Sequence, residues 1–210
     1  MRIHHRGVVN LSLLLIGTLL FSLPAWAGEP PFDLPKEVSK LRSATIYTDY
    51  GDIQLELFPQ DAPWHVANFK YLADKGYYRN TRFHIYQPGY IIQGGDRGGT
   101  GRGGPGYSLP QEFNEHRHSS GTIGMARSAD HVNPSRDSHG SQFYITLEGA
   151  PHMNGQYTVF GQVGKGMDVV QQLRKDDRVI DIKVFVHAAA TSTTQSTQDK
   201  TAPPPPRRLP

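Results

Sequence analysis

Several stretches of this 210-residue chain place reactive or ligand-binding side chains at suggestive spacings. The glycine-rich run from Gly94 to Gly106 matches G-x-G-x-x-G twice, starting at Gly99 and at Gly101. That pattern cradles a phosphate when a strand leads in and a helix N-terminus follows at once. Here Tyr107-Ser108-Leu109-Pro110 follows, which is no helix start, and no Gly-Lys-Ser/Thr occurs, so the run reads as a long loop hugging the surface. His116 and His118 beside Glu115 raise a metal question, because an H-x-H pair in a strand presents both imidazoles on one face. Asn114, Glu115 and Arg117 instead mark a loop, and a third ligand at a recognisable spacing is missing. These histidines are expected to be solvated, with no metal. Ser141, between Gly140 and Gln142, precedes a strand rather than a helix and lies in no G-x-S-x-G turn, which argues against a hydrolase. With no cysteine, disulfides, thiolate metal sites and cysteine nucleophiles are excluded.

The elements that must hold these residues are mostly short strands at close spacing. Stretches 45–48 and 53–57 alternate around Tyr50-Gly51-Asp52 and predict a hairpin. Asp61 suits an N-cap and Pro63 a first helical turn. Ala62, Val66, Phe69 and Ala73 then form one apolar stripe on a helix ending at Gly76. Further strands are expected at 83–86, 90–93, 122–126, 141–147, 157–163 and 179–186, with a second short helix over 167–174. So many short strands favour a barrel or sandwich over a parallel α/β sheet.

Three sequence blocks then stand out together. The first is Phe83-His84-Ile85-Tyr86-Gln87-Pro88-Gly89-Tyr90-Ile91-Ile92-Gln93-Gly94-Gly95-Asp96. The second is Gly121-Thr122-Ile123-Gly124-Met125-Ala126-Arg127 with Gly140-Ser141-Gln142-Phe143-Tyr144-Ile145. The third is Met153-Asn154-Gly155-Gln156-Tyr157-Thr158-Val159-Phe160-Gly161-Gln162-Val163, followed by Gly166-Met167-Asp168-Val169-Val170. In this order and spacing the chain resembles the cyclophilins, peptidyl-prolyl cis-trans isomerases, from about Ala44 to Val186. The resemblance implies a mainly β fold, an eight-stranded antiparallel closed barrel capped by two α-helices.

It also implies chemistry that needs no nucleophile, metal or cofactor. Rotation about an X-Pro bond is opposed by a barrier of roughly 18–20 kcal/mol. A surface that binds the twisted amide better than the planar one lowers that barrier. By position, Phe83, Tyr90, Ile91, Tyr144 and Met153 match the apolar proline pocket, and Gln93 matches the glutamine whose amide bonds near the isomerising peptide. Gln93 and Tyr144 are thus the implied catalytic pair. Ala126 and Arg127 match the strand edge that pairs with substrate backbone, with Gln142 beside them. His152 and Tyr157 match the pocket rim. The departure is Ile85, where the family carries an arginine that hydrogen-bonds the proline nitrogen. Isoleucine donates nothing, and Arg82 or Arg127 are the candidate substitutes. The implied partner is a proline-containing segment of an unfolded or flexible client. A proline-peptide-binding or chaperone-like module on the same barrel is the alternative reading.

The ends carry the charge. Arg2 and Arg6, an apolar run from Leu11 to Leu23 and Ala25-Trp26-Ala27 predict a signal peptide (1–27) cleaved after Ala27. Export to a periplasm or to the medium follows, with no membrane attachment after cleavage. Residues 28–43 are expected to form a loose lead-in to the 44–187 domain, and the Pro-rich stretch 188–210 a disordered tail. The pI near 9.1 suggests nucleic acid as a partner. Setting aside two basic residues in 1–27, and three basic and one acidic in 188–210, leaves 17 basic against 18 acidic. A near-neutral domain has no basic stripe to neutralise phosphates, so no nucleic-acid partner is expected. A single small barrel is expected to be a monomer.

Overall fold

The computed structural model describes residues 28–187, and the expected signal peptide and tail lie outside them. Strands β1 (Leu41–Thr48) and β2 (Gly51–Leu57) form the predicted hairpin, with Thr48 opposite Gly51. In β2 the period-2 pattern is clean, with Ile53, Leu55 and Leu57 buried and Asp52, Gln54 and Glu56 exposed. The segment ahead of β1 is attached to the domain, for Phe32 stacks on Tyr71 at 5.0 Å between ring centroids.

Helix α1 (Pro63–Asp74) starts with proline in its first turn and buries Val66, Phe69, Leu72 and Ala73. Asp61 does not cap it. The boundary residue is Ala62, with no side-chain cap, and the Asp61 carboxylate instead faces His116 Nε2 at 2.9 Å. The helix recruits its cap from far along the chain: Glu112 accepts the Trp64 and His65 N–H groups, at 3.1 Å each. A carboxylate there satisfies orphan donors and suits the positive end of the helix.

The remaining elements are β3 (Thr81–Arg82), β4 (Ile85–Gln87), β5 (Ile91–Gly94), β6 (Ser108–Leu109), β7 (Thr122–Met125), β8 (Ser138–His139), β9 (Phe143–Thr146), β10 (Val159–Lys165), α2 (Met167–Gln172) and β11 (Arg178–Val186). Nine strands form one antiparallel sheet in the order β3-β11-β1-β2-β10-β7-β9-β5-β4, and β6 pairs with β8 apart from it. The expected eight-stranded closed barrel is therefore corrected to a curled, nine-stranded open half-barrel with two helices. The two edges part at Phe83. Between edge strands β3 and β4 the Phe83 N–H goes to Asp177 O and its carbonyl accepts the Asp176 N–H, so no ladder joins the two edges. The concave side holds the core, where the Phe69 ring meets Phe143 edge-on at 5.6 Å and lies 5.3 Å from Phe160.

Candidate active site

Alternation in the central strands divides their apolar residues between two faces. Ile92, Phe143, Ile145, Ile123 and Met125 point into the main core. Ile91 and Tyr144 point the other way and join Ala150 and Met153 in a second cluster, against which Tyr90, Ala126 and Tyr157 pack. Six residues expected in the proline site therefore meet on the outer face of the sheet. Register explains the convergence: Ile85 pairs with Gln93, Gln93 with Tyr144, and Tyr144 with Gly124, in one row across β4, β5, β9 and β7. Directly opposed residues project to the same side. Phe83 is the correction. It is fully buried in the main core, 6.4 Å from Phe143 between ring centroids, and does not line the second cluster.

Polar order beside the cluster centres on Gln142, which is buried. Its Oε1 accepts from Gln93 Nε2 at 2.9 Å and lies 3.1 Å from His84 Nε2. A carbonyl oxygen can only accept, so His84 carries its proton on Nε2. Gln142 Nε2 donates to Gly101 O and Gly103 O, at 3.0 and 2.9 Å. The glycine-rich loop is thus tied to the site through its carbonyls. Four of its N–H groups are already committed: Asp96 accepts from the backbone of Gly98, Thr100, Gly101 and Gly103. Burial pushes the Asp96 pKa up, but those donors outweigh it and the pKa is lowered. The internal carboxylate occupies the cradle that the motif would offer a phosphate.

At the rim, Tyr90 Oη lies 3.0 Å from His152 Nε2 and 3.1 Å from Met153 Sδ, and the two rings stack at 5.4 Å. Burial raises the Tyr90 pKa. Arg127 lies over the Tyr157 ring, 4.8 Å from its centroid, and gives its side-chain donors to Gln156 O, Ser128 O and Asp130. Ala126 and Arg127 differ in what they leave open. Ala126 N–H donates to Gln142 O and its carbonyl accepts the His139 N–H, so Ala126 has no free backbone pair to offer a substrate. The Arg127 backbone N–H and C=O have no hydrogen-bond partner among the described residues. Of the two, Arg127 thus keeps an unpaired backbone N–H and C=O, while Ala126 packs its methyl against the cluster.

Half-buried Ile85 stands beside Gln93. Neither proposed substitute for its missing donor is placed to help. Arg82 is exposed and donates to Asp176 O at 2.6 Å, and Arg127 is held as above.

Sequence reasoning missed two contributors. His118, expected to be solvated, is 2% exposed behind Tyr144, with Nε2 2.8 Å from the tyrosine hydroxyl. His139 accepts the Ser141 and Gln142 N–H groups on Nδ1, at 3.0 and 2.9 Å, which orients Gln142. Burial lowers its pKa to about 4. Gly124, a glycine inside a strand, was the available signal for a close approach at Tyr144.

The comparisons agree with this geometry. The family model described as cyclophilin type peptidyl-prolyl cis-trans isomerase matches residues 43–195. A peptidyl-prolyl cis-trans isomerase of Synechococcus elongatus is 41% identical over 151 residues, 71% of this chain and 100% of its own length. Peptidyl-prolyl cis-trans isomerase B of Bacillus subtilis is 41% identical over 141 residues, 66% of this chain and 94% of its own. A Cryptosporidium parvum cyclophilin structure superposes with a TM-score of 0.63 at 32% identity, covering 70% of this chain and 99% of its own. The same type of protein, solved in the presence of the dipeptide Ala-Pro, gives 0.62 at 33%, over 69% of this chain and 99% of its own. The half-barrel, the outward apolar cluster and these matches place the chain in one family: it belongs to the cyclophilin-type peptidyl-prolyl cis-trans isomerases.

Proposed function

We propose that this isomerase acts on X-Pro segments of exported, flexible client proteins, at a rate reduced by the isoleucine at position 85. The observation that carries the reduced rate is the pairing of Ile85 with Gln93, with both nearby arginines committed elsewhere. In this reading proline sits against Ile91, Tyr144 and Met153, under the rim of Tyr90, His152, Ala126 and Tyr157. The Arg127 backbone pairs with the segment beside the proline. Gln93 hydrogen-bonds beside the rotating amide: one N–H of its Nε2 goes to Gln142 Oε1, and the other is available to donate to the carbonyl oxygen of the X-Pro bond. The apolar wall keeps water away and favours the amide that has lost resonance. Loss of one transition-state donor costs about 3–4 kcal/mol, or 10²–10³ in rate. Export rests on the leader-like residues 1–27, and the same reading takes the mature protein as a monomer free of the membrane. No helix among the described residues is long and apolar enough to cross a bilayer.

The test is cis-to-trans relaxation of a short Ala-Pro peptide with the mature protein and with Ile85→Arg. We expect measurable catalysis by the wild type and at least about a tenfold gain in the variant, given the range for one donor. Peptide binding with only the uncatalysed rate would leave a proline-binding module. Intact mass of exported protein should show Gly28 as the first residue, and retention of 1–27 would refute export by cleavage.

A further inference from the structure

The Tyr144 ring forms the wall of the second cluster, yet its hydroxyl is buried behind that wall. Buried hydroxyls are costly unless paired, so the partner matters. Asn154 settles the direction of the hydrogen bond. Its side-chain atom facing His118 accepts the His118 backbone N–H at 2.8 Å, so that atom is the carbonyl oxygen. The same oxygen lies 3.1 Å from His118 Nδ1, which must therefore carry the ring proton. Nε2 is then a bare acceptor, and Tyr144 O–H donates to it at 2.8 Å. Burial lowers the His118 pKa, in keeping with a neutral ring.

Gly124 completes the arrangement from the facing strand. It is the direct cross-strand partner of Tyr144, and a Cβ there would overlap the tyrosine hydroxyl and Cζ. The ring thus lies in the space a side chain would take, tethered at its tip by a histidine that Asn154 orients. Asn154 immediately follows Met153, another member of the cluster.

We propose that His118 and Gly124 are positioning residues that set the depth of the proline pocket by fixing the Tyr144 ring, His118 through a hydrogen bond and Gly124 through its missing side chain. This rests on reading the second cluster as the proline pocket. It predicts coupling between His118 and the hydroxyl specifically, because a phenylalanine ring at 144 asks nothing of His118.

The experiment measures Ala-Pro peptide affinity by NMR titration and KM and kcat by relaxation, well below each variant's melting temperature. The variants are His118→Leu, Tyr144→Phe and the two combined. His118→Leu alone should weaken binding by about fivefold or more, the range for an orphaned buried hydroxyl. Tyr144→Phe serves as the reference for the lost hydroxyl, and the double variant should match it rather than His118→Leu, because without the hydroxyl His118 has nothing to hold. A His118→Leu protein that melts earlier but binds normally would overturn the proposal, as would equal losses in the single and double variants. Should His118→Leu fail to fold, Gly124→Ala tests the other half: weakened binding supports it and unchanged affinity overturns it. Wild-type protein that binds no Ala-Pro peptide would instead refute the pocket reading beneath it.

Discussion

Gln93 and Gln142 are joined by a single hydrogen bond, Nε2 to Oε1 at 2.9 Å, and through it the glycine-rich loop is coupled to the amide at the centre of the site. Gln142 is saturated by this role. It accepts from Gln93 and His84 and donates to Gly101 and Gly103, so one side chain sets the direction of Gln93 and the seat of the loop.

Replacing Gln142 by methionine keeps its length and removes every one of these bonds. Two loop carbonyls, His84 Nε2 and the Gln93 amide lose partners together, and each orphaned buried group costs about 1–3 kcal/mol. We expect the melting temperature to fall and, in the protein that remains folded, kcat/KM to drop by at least about tenfold. Stopped-flow relaxation of an Ala-Pro peptide, alongside a thermal melt, measures both quantities. Unchanged kcat/KM would show that Gln93 needs no such guide.

Which parts of this arrangement are legible in the sequence follows from how local their causes are. The β1–β2 hairpin is legible because Ile53, Leu55 and Leu57 alternate with polar residues on a sheet wet on one side. Ile91 and Ile92 give no such contrast. Both are buried, one in each cluster, and only strand pairing says which joins the outer one. The sheet edge fails to close because Phe83 bonds to Asp176 and Asp177, some ninety residues on, and no local pattern announces that. Asp61 has the right type for an N-cap but loses to Glu112, a carboxylate delivered by tertiary structure. His118 is surrounded by loop-like neighbours and still ends buried, because Tyr144 needs an acceptor.

Acid should destabilise the protein above the pH range in which its lowered aspartates give up their contribution. His139 falls from 6.5 to about 4 on folding because it is buried. Between those values the unfolded chain binds a proton that the folded one refuses, so stability is lost as pH falls through this window. A fall of that size corresponds to at most about 3–4 kcal/mol. His118, also lowered by burial, acts in the same direction. Asp49, Asp96, Asp130 and Asp181, held below 3.8, give up their contribution only at more acid pH. His139→Asn keeps an acceptor for the Ser141 and Gln142 N–H groups without a titrating ring. Urea midpoints at pH 7 and pH 4.5 should therefore differ clearly less in the variant than in the wild type, and equal differences would remove His139 as the cause.

Arg127 is held as a fork rather than as a point charge. Nε donates to Gln156 O at 2.8 Å while another guanidinium nitrogen reaches Ser128 O, and the plane covers Tyr157. Lysine keeps the charge but not this geometry. Arg127→Lys should loosen Tyr157 and raise the peptide dissociation constant by about threefold, in line with the loss of a partly exposed cation–π contact. An NMR titration reads this directly, and an unaltered constant would confine Arg127 to its backbone role.

The division of apolar residues between two clusters makes opposite predictions for Phe83 and Met153. Phe83 is fully buried in the main core, so Phe83→Ala opens a cavity there and should cost about 3–5 kcal/mol of stability. The fraction that remains folded keeps its outer cluster and should bind an Ala-Pro peptide as the wild type does. Met153 packs with Ile91, Tyr144 and Ala150 on the other face, where truncation has less surrounding core to collapse. Met153→Ala should therefore sit at the low end of the cost for a buried methionine, about 2 kcal/mol. Its larger effect should fall on substrate, raising KM by about tenfold through lost apolar contact with proline. Urea unfolding and peptide titration on the same two variants separate these outcomes. A Phe83→Ala protein with normal stability and weakened binding would return Phe83 to the pocket and undo the assignment of the two faces.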